Sequence, residues 1–198
     1  MPAHDIFVIG ASKGGIEILK TLVAPLPASL SASILVVLHI GRHHTNLDGI
    51  LNANGAMRAS QPHHCELIKK HHIYVAPADH HMRLQDGYIQ LDKGPKEHFA
   101  RPAADPLFRS AARIYGSRVV GIVLTGGEED GARGLIAVKH AGGITVVQDP
   151  AEATAPSMPL SGLRLDEPTY CVRSTEMPDL VMQLCGEQPD HRNPTRPQ

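Results

Sequence analysis

The sequence predicts an α/β fold, namely a doubly wound, mainly parallel sheet with helices on both faces and a small antiparallel hairpin insertion. Short apolar runs typical of buried strands alternate with amphipathic helical patterns along most of the chain. Near the middle the pattern changes to short strands, two of which are joined by Asp86-Gly87, a pair that favours a type I′ hairpin turn. No internal repeat interrupts this order, so residues 1–187 are expected to form a single domain.

The first strand, turn and helix organise the rest of the prediction. The apolar run at 6–9 stops at Gly10, and a helical pattern begins at Gly14. Its apolar residues repeat on one face at Ile16, Leu19 and Leu22. In an open parallel sheet such a turn lies at the carboxyl edge, where ligands bind, and the helix N-terminus presents free N–H groups. The turn can therefore hold an anion or display Ser12.

The first half of the chain continues with strands and one helix. A continuous apolar run at 33–40 predicts a strand buried on both faces, and a helical pattern follows at 47–54 after a polar loop. Short β-rich segments then predict strands at 65–68, 73–76, 82–85 and 88–91. The last two of these form the predicted hairpin around Asp86-Gly87.

The second half returns to alternating helices and strands. An amphipathic helix is predicted at 103–115, with Leu107, Ala111 and Ile114 inward, and the buried strand 119–125 follows it. Gly142-Gly143 closes a helix at 132–141 before a strand at 144–147. A small helix at 158–163, a strand at 170–172 and a helix at 178–185 with Thr175 as N-cap complete the domain. The proline-rich polar end, 188–198, is expected to be a disordered tail.

Composition and charge exclude several classes of protein. Nineteen lysines and arginines against 20 acidic residues give a net charge of −1, which offers no electrostatic case for nucleic acid or an anionic membrane. The sequence has no apolar run near the roughly 20 residues that a bilayer span requires, and no signal-peptide layout, so membrane insertion is not expected. The protein is expected to be cytoplasmic. Its oligomeric state is not indicated.

Cysteines and histidines give no metal signal. Three distant cysteines without Cys-x-x-Cys spacing, Cys65, Cys171 and Cys185, are expected to be buried thiols. The 13 histidines include four adjacent pairs, at 43–44, 63–64, 71–72 and 80–81. Because neighbouring side chains diverge and no ligand spacing accompanies them, solvated loop histidines are expected and no metal site is predicted.

The loop Gly10-Ala-Ser-Lys-Gly-Gly15 is compatible with three interpretations. It is similar to the phosphate-binding turn of short-chain dehydrogenases, to a turn that displays a nucleophilic serine, and to a plain packing turn. A dinucleotide site would need an acidic residue where the second strand ends, and this sequence has His39 there. The paired Tyr and Lys of those dehydrogenases are also missing, because the residues four positions after the tyrosines are Ala78, Asp92, Val119 and Ser174. No cofactor is therefore predicted.

The nucleophile interpretation gains support from the positions of Ser12, His39 and Asp130. Each residue follows the carboxyl end of a different predicted parallel strand, and these ends lie along one edge of a sheet. Serine supplies a nucleophile, imidazole supplies a base, and a carboxylate fixes the imidazole tautomer and stabilises its cation. We therefore expect these three side chains to converge.

These residues carry a resemblance to the catalytic domain of CheB-type chemotaxis methylesterases, extending from about residue 5 to 184. It rests on ordered blocks at 8–15, 36–39, 74–81, 101–110, 124–131 and 148–159, among them Val-Ile-Gly-Ala-Ser12, Val-Val-Leu-His39 and Asp130-Gly131. The resemblance implies that Ser12 is the nucleophile, His39 the general base and Asp130 the third member. The implied substrates are glutamyl methyl esters, and in some members glutamines, in the cytoplasmic helices of methyl-accepting chemoreceptors.

An oxyanion hole is expected from the backbone N–H groups of Lys13, Gly14 and Gly127. Two of these positions depart from the family, which often has a small or polar residue in place of Lys13 and frequently a methionine in place of Gly127. Members also usually carry a receiver domain before the catalytic one, whereas this sequence begins at the first strand, so control by phosphorylation within the chain is not expected. A non-catalytic receptor-binding or sensory module with the same fold is the alternative.

Overall fold

The computed structural model describes residues 4–39 and 46–187. The predicted tail at 188–198 and the histidine pair at 43–44 lie outside these residues. Strands are β1 Ile6–Ala11, β2 Ser33–Leu38, β3 Arg58–Ser60, β4 Glu66–Leu67, β5 His72–Val75, β6 His81–Gln85, β7 Tyr88–Asp92, β8 Val119–Val123, β9 Ile144–Gln148 and β10 Tyr170–Val172. Helices are α1 Gly15–Val23, α2 Leu47–Asn54, α3 Ala104–Tyr115, α4 Ala132–His140, α5 Ser157–Asp166 and α6 Met177–Cys185.

A seven-stranded sheet in the order β10-β9-β8-β1-β2-β5-β3 forms the centre of the molecule. Its strands are parallel, with β1 between β2 and β8, so that the carboxyl ends of these three strands are neighbours. A separate antiparallel sheet, β4-β7-β6, forms the insertion. Within residues 4–39 and 46–187, no helix has the length and apolar character needed to cross a membrane.

Two apolar cores cover the two faces of the central sheet. Alternate residues of β1 point in opposite directions, so Phe7 and Ile9 pack with α1, α2 and α6, whereas Ile6 and Val8 pack with α3, α4, α5 and the small sheet. Burial of β1 and β2 on both faces explains why each reads as a continuous apolar run. The predicted doubly wound arrangement is confirmed.

The hairpin prediction is also confirmed, because Asp86 and Gly87 have φ angles of 47° and 88°. A type I′ turn requires positive φ at both central residues. Other details differ from the predictions. The strand predicted at 73–76 is β5, which pairs in parallel with β2, a partner that the sequence did not indicate. The N-cap of α6 is Glu176 instead of Thr175. Ile114 is only partly buried.

Two expectations about cysteines and histidines are wrong. Cys65 and Cys171 are exposed, and only Cys185 is buried. His81 was expected in a solvated loop, but it is fully buried in β6, where its Nε2 lies 2.9 Å from the carbonyl oxygen of Pro95. A hydrogen bond to the backbone allows an imidazole to replace water in the interior.

Asp5, just before β1, supports a prediction about stability. Burial favours the neutral carboxyl, but hydrogen bonds from Arg118, at 2.9 and 2.8 Å, and the ammonium of Lys70, at 3.2 Å, outweigh it and lower the pKa of Asp5. Asp5→Asn should lower the free energy of unfolding at pH 7 by about 1 kcal/mol, because both cations are half exposed.

The pH dependence has a defined sign. A carboxyl whose pKa is lower in the folded than in the unfolded state stabilises the fold above the unfolded value, about 3.9, and loses that contribution as the pH falls through the folded value. The difference in free energy of unfolding between Asp5→Asn and the unchanged protein, measured with urea, should therefore be smaller at about pH 3 than at pH 7. A difference that is equal at both pH values would contradict this account.

Candidate active site

The turn between β1 and α1 holds Ser12 at the carboxyl edge of the sheet. The Ser12 N–H donates to the carbonyl of Thr125, which follows β8, and the Ser12 carbonyl accepts from Gly15, each at 2.9 Å. Gly14 has a φ of 83°, and a Cβ there would lie 2.7 Å from Thr154, so both conformation and space require glycine. The backbone of Ser12 is thus fixed while its side chain remains partly exposed.

His39 and Asp130 reach the same edge from the strands on either side of β1. The backbone N–H of His39 donates to Ala11 at 2.9 Å, which continues the pairing of β2 with β1. Asp130 lies in the loop between β8 and α4 and is fully buried. Its Oδ2 lies 2.7 Å from Nε2 of His39, whose side chain is 9% exposed. The predicted convergence of imidazole and carboxylate is present in the structure.

Asp130 is held as a carboxylate by three donors. Burial alone would raise its pKa, but the hydrogen bond and charge of His39, and the backbone N–H groups of Ala104 and Asp105 at the start of α3, lower the pKa of Asp130. The N-terminus of a helix is a favourable place for an anion because its N–H groups are free and its dipole is positive. A carboxylate only accepts hydrogen bonds, so Nε2 of His39 carries the proton of this pair.

The second ring nitrogen of His39, Nδ1, is consequently the one available as a base. Ser12 and His39 border the same cavity of about 230 Å³, which is also lined by Lys96, Phe99 and Glu128. They also share a second cavity of about 310 Å³, which Lys13 and Gly14 border. The Ser12 hydroxyl has no hydrogen-bond partner among the described residues. Serine–histidine hydrogen bonds are often absent without substrate and form in the reacting complex.

The backbone donors near Ser12 differ in availability. The N–H groups of Ser12 and Gly126 are occupied, by the carbonyls of Thr125 and Ala155 at 2.9 and 2.8 Å. Those of Lys13, Gly14 and Gly127 have no acceptor within residues 4–39 and 46–187. These are the three donors that the sequence predicts for an oxyanion. A Cβ at Gly127 would meet no atom within 4 Å, so the packing does not require glycine at this position.

Several residues that support the site were not identified from the sequence. Thr125 Oγ1 donates to the carbonyl of Lys13 and accepts from the N–H of Ala155, each at 2.9 Å. The Thr125 N–H donates to the buried side-chain oxygen of Gln148 at 2.9 Å. Because Thr125 and Gln148 both lie at strand ends, their positions at the sheet edge were a usable signal. They hold the Ser12 turn against the ends of β8 and β9.

A second histidine–aspartate pair lies beside the first and was also missed. His98 Nε2 is 2.9 Å from Oδ2 of the fully buried Asp105, whose other oxygen accepts from Gly131 and Gly134 at 3.1 and 2.6 Å. Burial and the neighbouring charge of Asp130 raise the pKa of Asp105. Ligand atoms of His98, Asp105 and Asp130 lie within 4.8 Å of one another, which is compatible with a metal ion. Since protein donors already occupy both carboxylates, we interpret the group as a hydrogen-bond network.

Comparisons with known proteins agree with this geometry. The sequence profile of the CheB methylesterase family matches residues 7–181. A protein-glutamate methylesterase/protein-glutamine glutaminase of Pyrococcus abyssi is 34% identical over 188 residues, which cover 92% of this chain and 51% of that protein. A Leptospira interrogans relative, provisionally named for the same two activities, is 33% identical over 183 residues, covering 91% of this chain and 95% of the relative.

A solved structure gives the same result. The crystal structure of the Thermotoga maritima CheB methylesterase catalytic domain matches with a TM-score of 0.87 and 30% sequence identity, covering 92% of this chain and 99% of that one. The sequence resemblance and the predicted fold are thereby confirmed. The chain belongs to the CheB methylesterase family.

Proposed function

We propose that this protein is a protein-glutamate methylesterase, with Ser12, His39 and Asp130 as its catalytic residues and residues 1–187 as a single catalytic domain. Its substrates are γ-methyl esters of glutamyl residues in the cytoplasmic helices of methyl-accepting chemoreceptors, and it acts in the cytoplasm. The observation that carries the proposal is the arrangement at three neighbouring strand ends. A partly exposed serine and a histidine paired with a buried carboxylate border one cavity.

The first half of the reaction forms an ester on Ser12. Nδ1 of His39 accepts the Ser12 proton as Oγ attacks the ester carbonyl, and the negative charge that develops on the carbonyl oxygen is stabilised by N–H groups of Lys13, Gly14 and Gly127. Asp130 stabilises the imidazolium through the hydrogen bond at Nε2. His39 then returns the proton to the methoxy group, and methanol leaves.

The second half releases the product by the same route. Water donates a proton to Nδ1 of His39 and attacks the Ser12 ester, and the tetrahedral intermediate collapses to a glutamyl carboxylate and free serine. A glutamine side chain could react in the same way with ammonia as the leaving group. Amide hydrolysis needs stronger protonation of its leaving group, so deamidation is the slower of the two proposed activities.

The direct test is release of labelled methanol from a receptor cytoplasmic fragment carrying methyl-labelled glutamyl esters. Release that is proportional to enzyme concentration supports the proposal. Binding of the fragment without methanol release would instead favour a receptor-binding module. A small ester, the γ-methyl ester of an N-acetyl glutamate amide, should also be hydrolysed, because it needs only the cavity that Ser12 and His39 border.

Two exposed carboxylates at the rim give a prediction about substrate capture. Glu128 borders the cavity that contains Ser12, and Glu128 and Glu129 border an adjoining cavity of about 550 Å³. They should repel a glutamate-rich receptor helix, each by about 1 kcal/mol or less, with screening over about 10 Å at 0.1 M salt. Replacing both with glutamine should raise kcat/KM toward an acidic receptor fragment at low salt and leave kcat nearly unchanged.

The matched control is Glu167→Gln, which neutralises an exposed glutamate away from these cavities. It should leave kcat/KM unchanged at both low and high salt. The two rim glutamates also precede the N-terminus of α4, where carboxylates interact favourably with the helix dipole. If that were their whole role, the double variant would lose thermal stability and keep its kcat/KM at low salt, and the prediction would be wrong.

A further inference from the structure

A two-residue turn at the edge of the cavity presents an aromatic side chain to solvent. Glu97 and Ala100 exchange backbone hydrogen bonds of 3.2 and 2.9 Å, and between them His98 and Phe99 have φ angles of 48° and 59°. Positive φ is unfavourable for a bulky residue. Phe99 adopts this conformation, and its side chain is 90% exposed, more than that of any other large hydrophobic residue in the described part of the chain.

Polar contacts fix this turn to the body of the domain. The Glu97 carboxylate accepts two hydrogen bonds from Arg109 of α3, at 2.8 and 2.7 Å, and His98 is bound to the buried Asp105. Just after the turn, Arg101 donates twice to Asp79, at 3.0 and 2.7 Å. The backbone that carries Phe99 is therefore fixed before any partner arrives, which reduces the entropy cost of binding through this residue.

Phe99 lies where two cavities meet. It borders the cavity of about 230 Å³ that contains Ser12 and His39, and the cavity of about 550 Å³ next to it. The second cavity is also bordered by Leu160 of α5, an apolar side chain that is 36% exposed. Exposed cations border each cavity, Lys96 the first and Arg164 the second. An apolar contact thus continues directly from the reacting centre, and both cations and the carboxylates of Glu128 and Glu129 border it.

The width of the first cavity indicates how far apart two side chains of a substrate helix lie when one enters the cavity and the other contacts its rim. A compact, roughly spherical cavity of 230 Å³ is about 8 Å across. One turn of an α-helix rises 5.4 Å, and side chains three or four positions apart lie about 5–6 Å from each other. A helix whose esterified side chain enters the cavity would therefore bring side chains of the next turn to the cavity rim, which Phe99 borders.

We propose that Phe99 is the docking residue for the substrate helix: it packs, together with Leu160, against an apolar side chain one helical turn from the esterified glutamate. This inference rests on the proposed function. Large aromatic side chains often contribute most to recognition when they are rigid and lie near the centre of an interface.

The test compares two substrates, the methyl-esterified receptor fragment and the small glutamyl ester. Phe99→Ala should lower kcat/KM for the receptor fragment by about tenfold or more, mainly through KM, and lower kcat/KM for the small ester by a much smaller factor, because the small ester has no second side chain to contact the ring. Phe99→Leu should retain most of the activity on the fragment. Leu67→Ala, at an apolar residue that is 51% exposed on β4 and outside these cavities, should behave like the unchanged protein.

A double-mutant cycle identifies the partner side chain. In the receptor fragment, the apolar residue one turn from the ester is replaced with serine. This change should lower kcat/KM of the unchanged enzyme about tenfold and lower kcat/KM of Phe99→Ala little further. If Phe99→Ala lost kcat/KM equally on both substrates, or lost none on the receptor fragment, the docking role would be overturned and the proposed function would remain intact. If the unchanged protein released no methanol from either substrate, the proposed function would fail. Docking would then be tested by fragment binding, and equal affinity for Phe99→Ala would overturn it.

Discussion

Ser12→Ala should lower the rate of methanol release by about four to six orders of magnitude while leaving the fold intact. The substitution removes only Oγ, which makes no hydrogen bond to a described residue, and both backbone hydrogen bonds of Ser12 remain. Without Oγ no covalent intermediate can form, and only substrate binding and the free N–H groups can still favour direct attack by water. The measurement is release of labelled methanol, with circular dichroism to verify the fold.

The matched control is Ser157→Ala, because Ser157 is likewise a solvent-accessible serine and borders the adjoining cavity. It should retain the turnover of the unchanged protein. Methanol release by purified Ser12→Ala at a rate close to that of Ser157→Ala would exclude Ser12 as the nucleophile. A parallel loss in both variants would point to a structural requirement at this edge of the sheet.

The fold was predictable because the strong sequence signals are local. The apolar runs of β1 and β2, the glycines around Ser12 and the Asp86-Gly87 turn each determine their own segment. β3 was missed because it has three residues, and it is a strand only through its pairing with β5. The placement of β5 beside β2 is likewise a long-range contact that no local pattern encodes.

The candidate site was predictable where topology alone brings residues together. Ser12, His39 and Asp130 follow strands that are neighbours in the sheet, so their convergence follows from strand order. Side-chain orientation, and partners such as Thr125, determine which ring nitrogen of His39 faces Asp130 and which backbone N–H groups stay free. Local sequence does not encode either. His98 was missed for the same reason, since its partner Asp105 resembles any acidic residue in the first turn of a helix.

Asp130→Asn should lower the turnover number by about three to four orders of magnitude, through the tautomer of His39. The carboxylate accepts from His39 and Ala104 on one oxygen and from Asp105 on the other. An amide has a single acceptor oxygen, so either orientation places its NH₂ group against a backbone N–H. If NH₂ faces Nε2 of His39, this nitrogen must accept, the proton moves to Nδ1, and Nδ1 can no longer act as the base.

Stability should change in the same variant with a defined pH dependence. The pKa of Asp130 is lower in the folded state, so its carboxylate stabilises the fold above the ordinary carboxyl pKa, and this contribution is lost as the pH falls through the folded value. Asp130→Asn should therefore be less stable at pH 7 by about 1–3 kcal/mol. Removing the charge of Asp130 also removes its repulsion of the Asp105 carboxylate, a repulsion that contributes to the raised pKa of Asp105. We therefore expect a loss of stability near the lower end of this range.

Asp105→Asn is the matched control, because it makes the same change in the neighbouring histidine–aspartate pair, His98 and Asp105. Its amide oxygen can still accept from Gly131 and Gly134, and its NH₂ group would face His98 rather than His39. We expect this variant to keep at least a tenth of the turnover number. Measuring methanol release at pH 8, and urea unfolding at about pH 3 and pH 8, for both variants separates the two carboxylates. If Asp105→Asn lost more activity than Asp130→Asn, the carboxylate that serves the catalytic histidine would have been wrongly assigned.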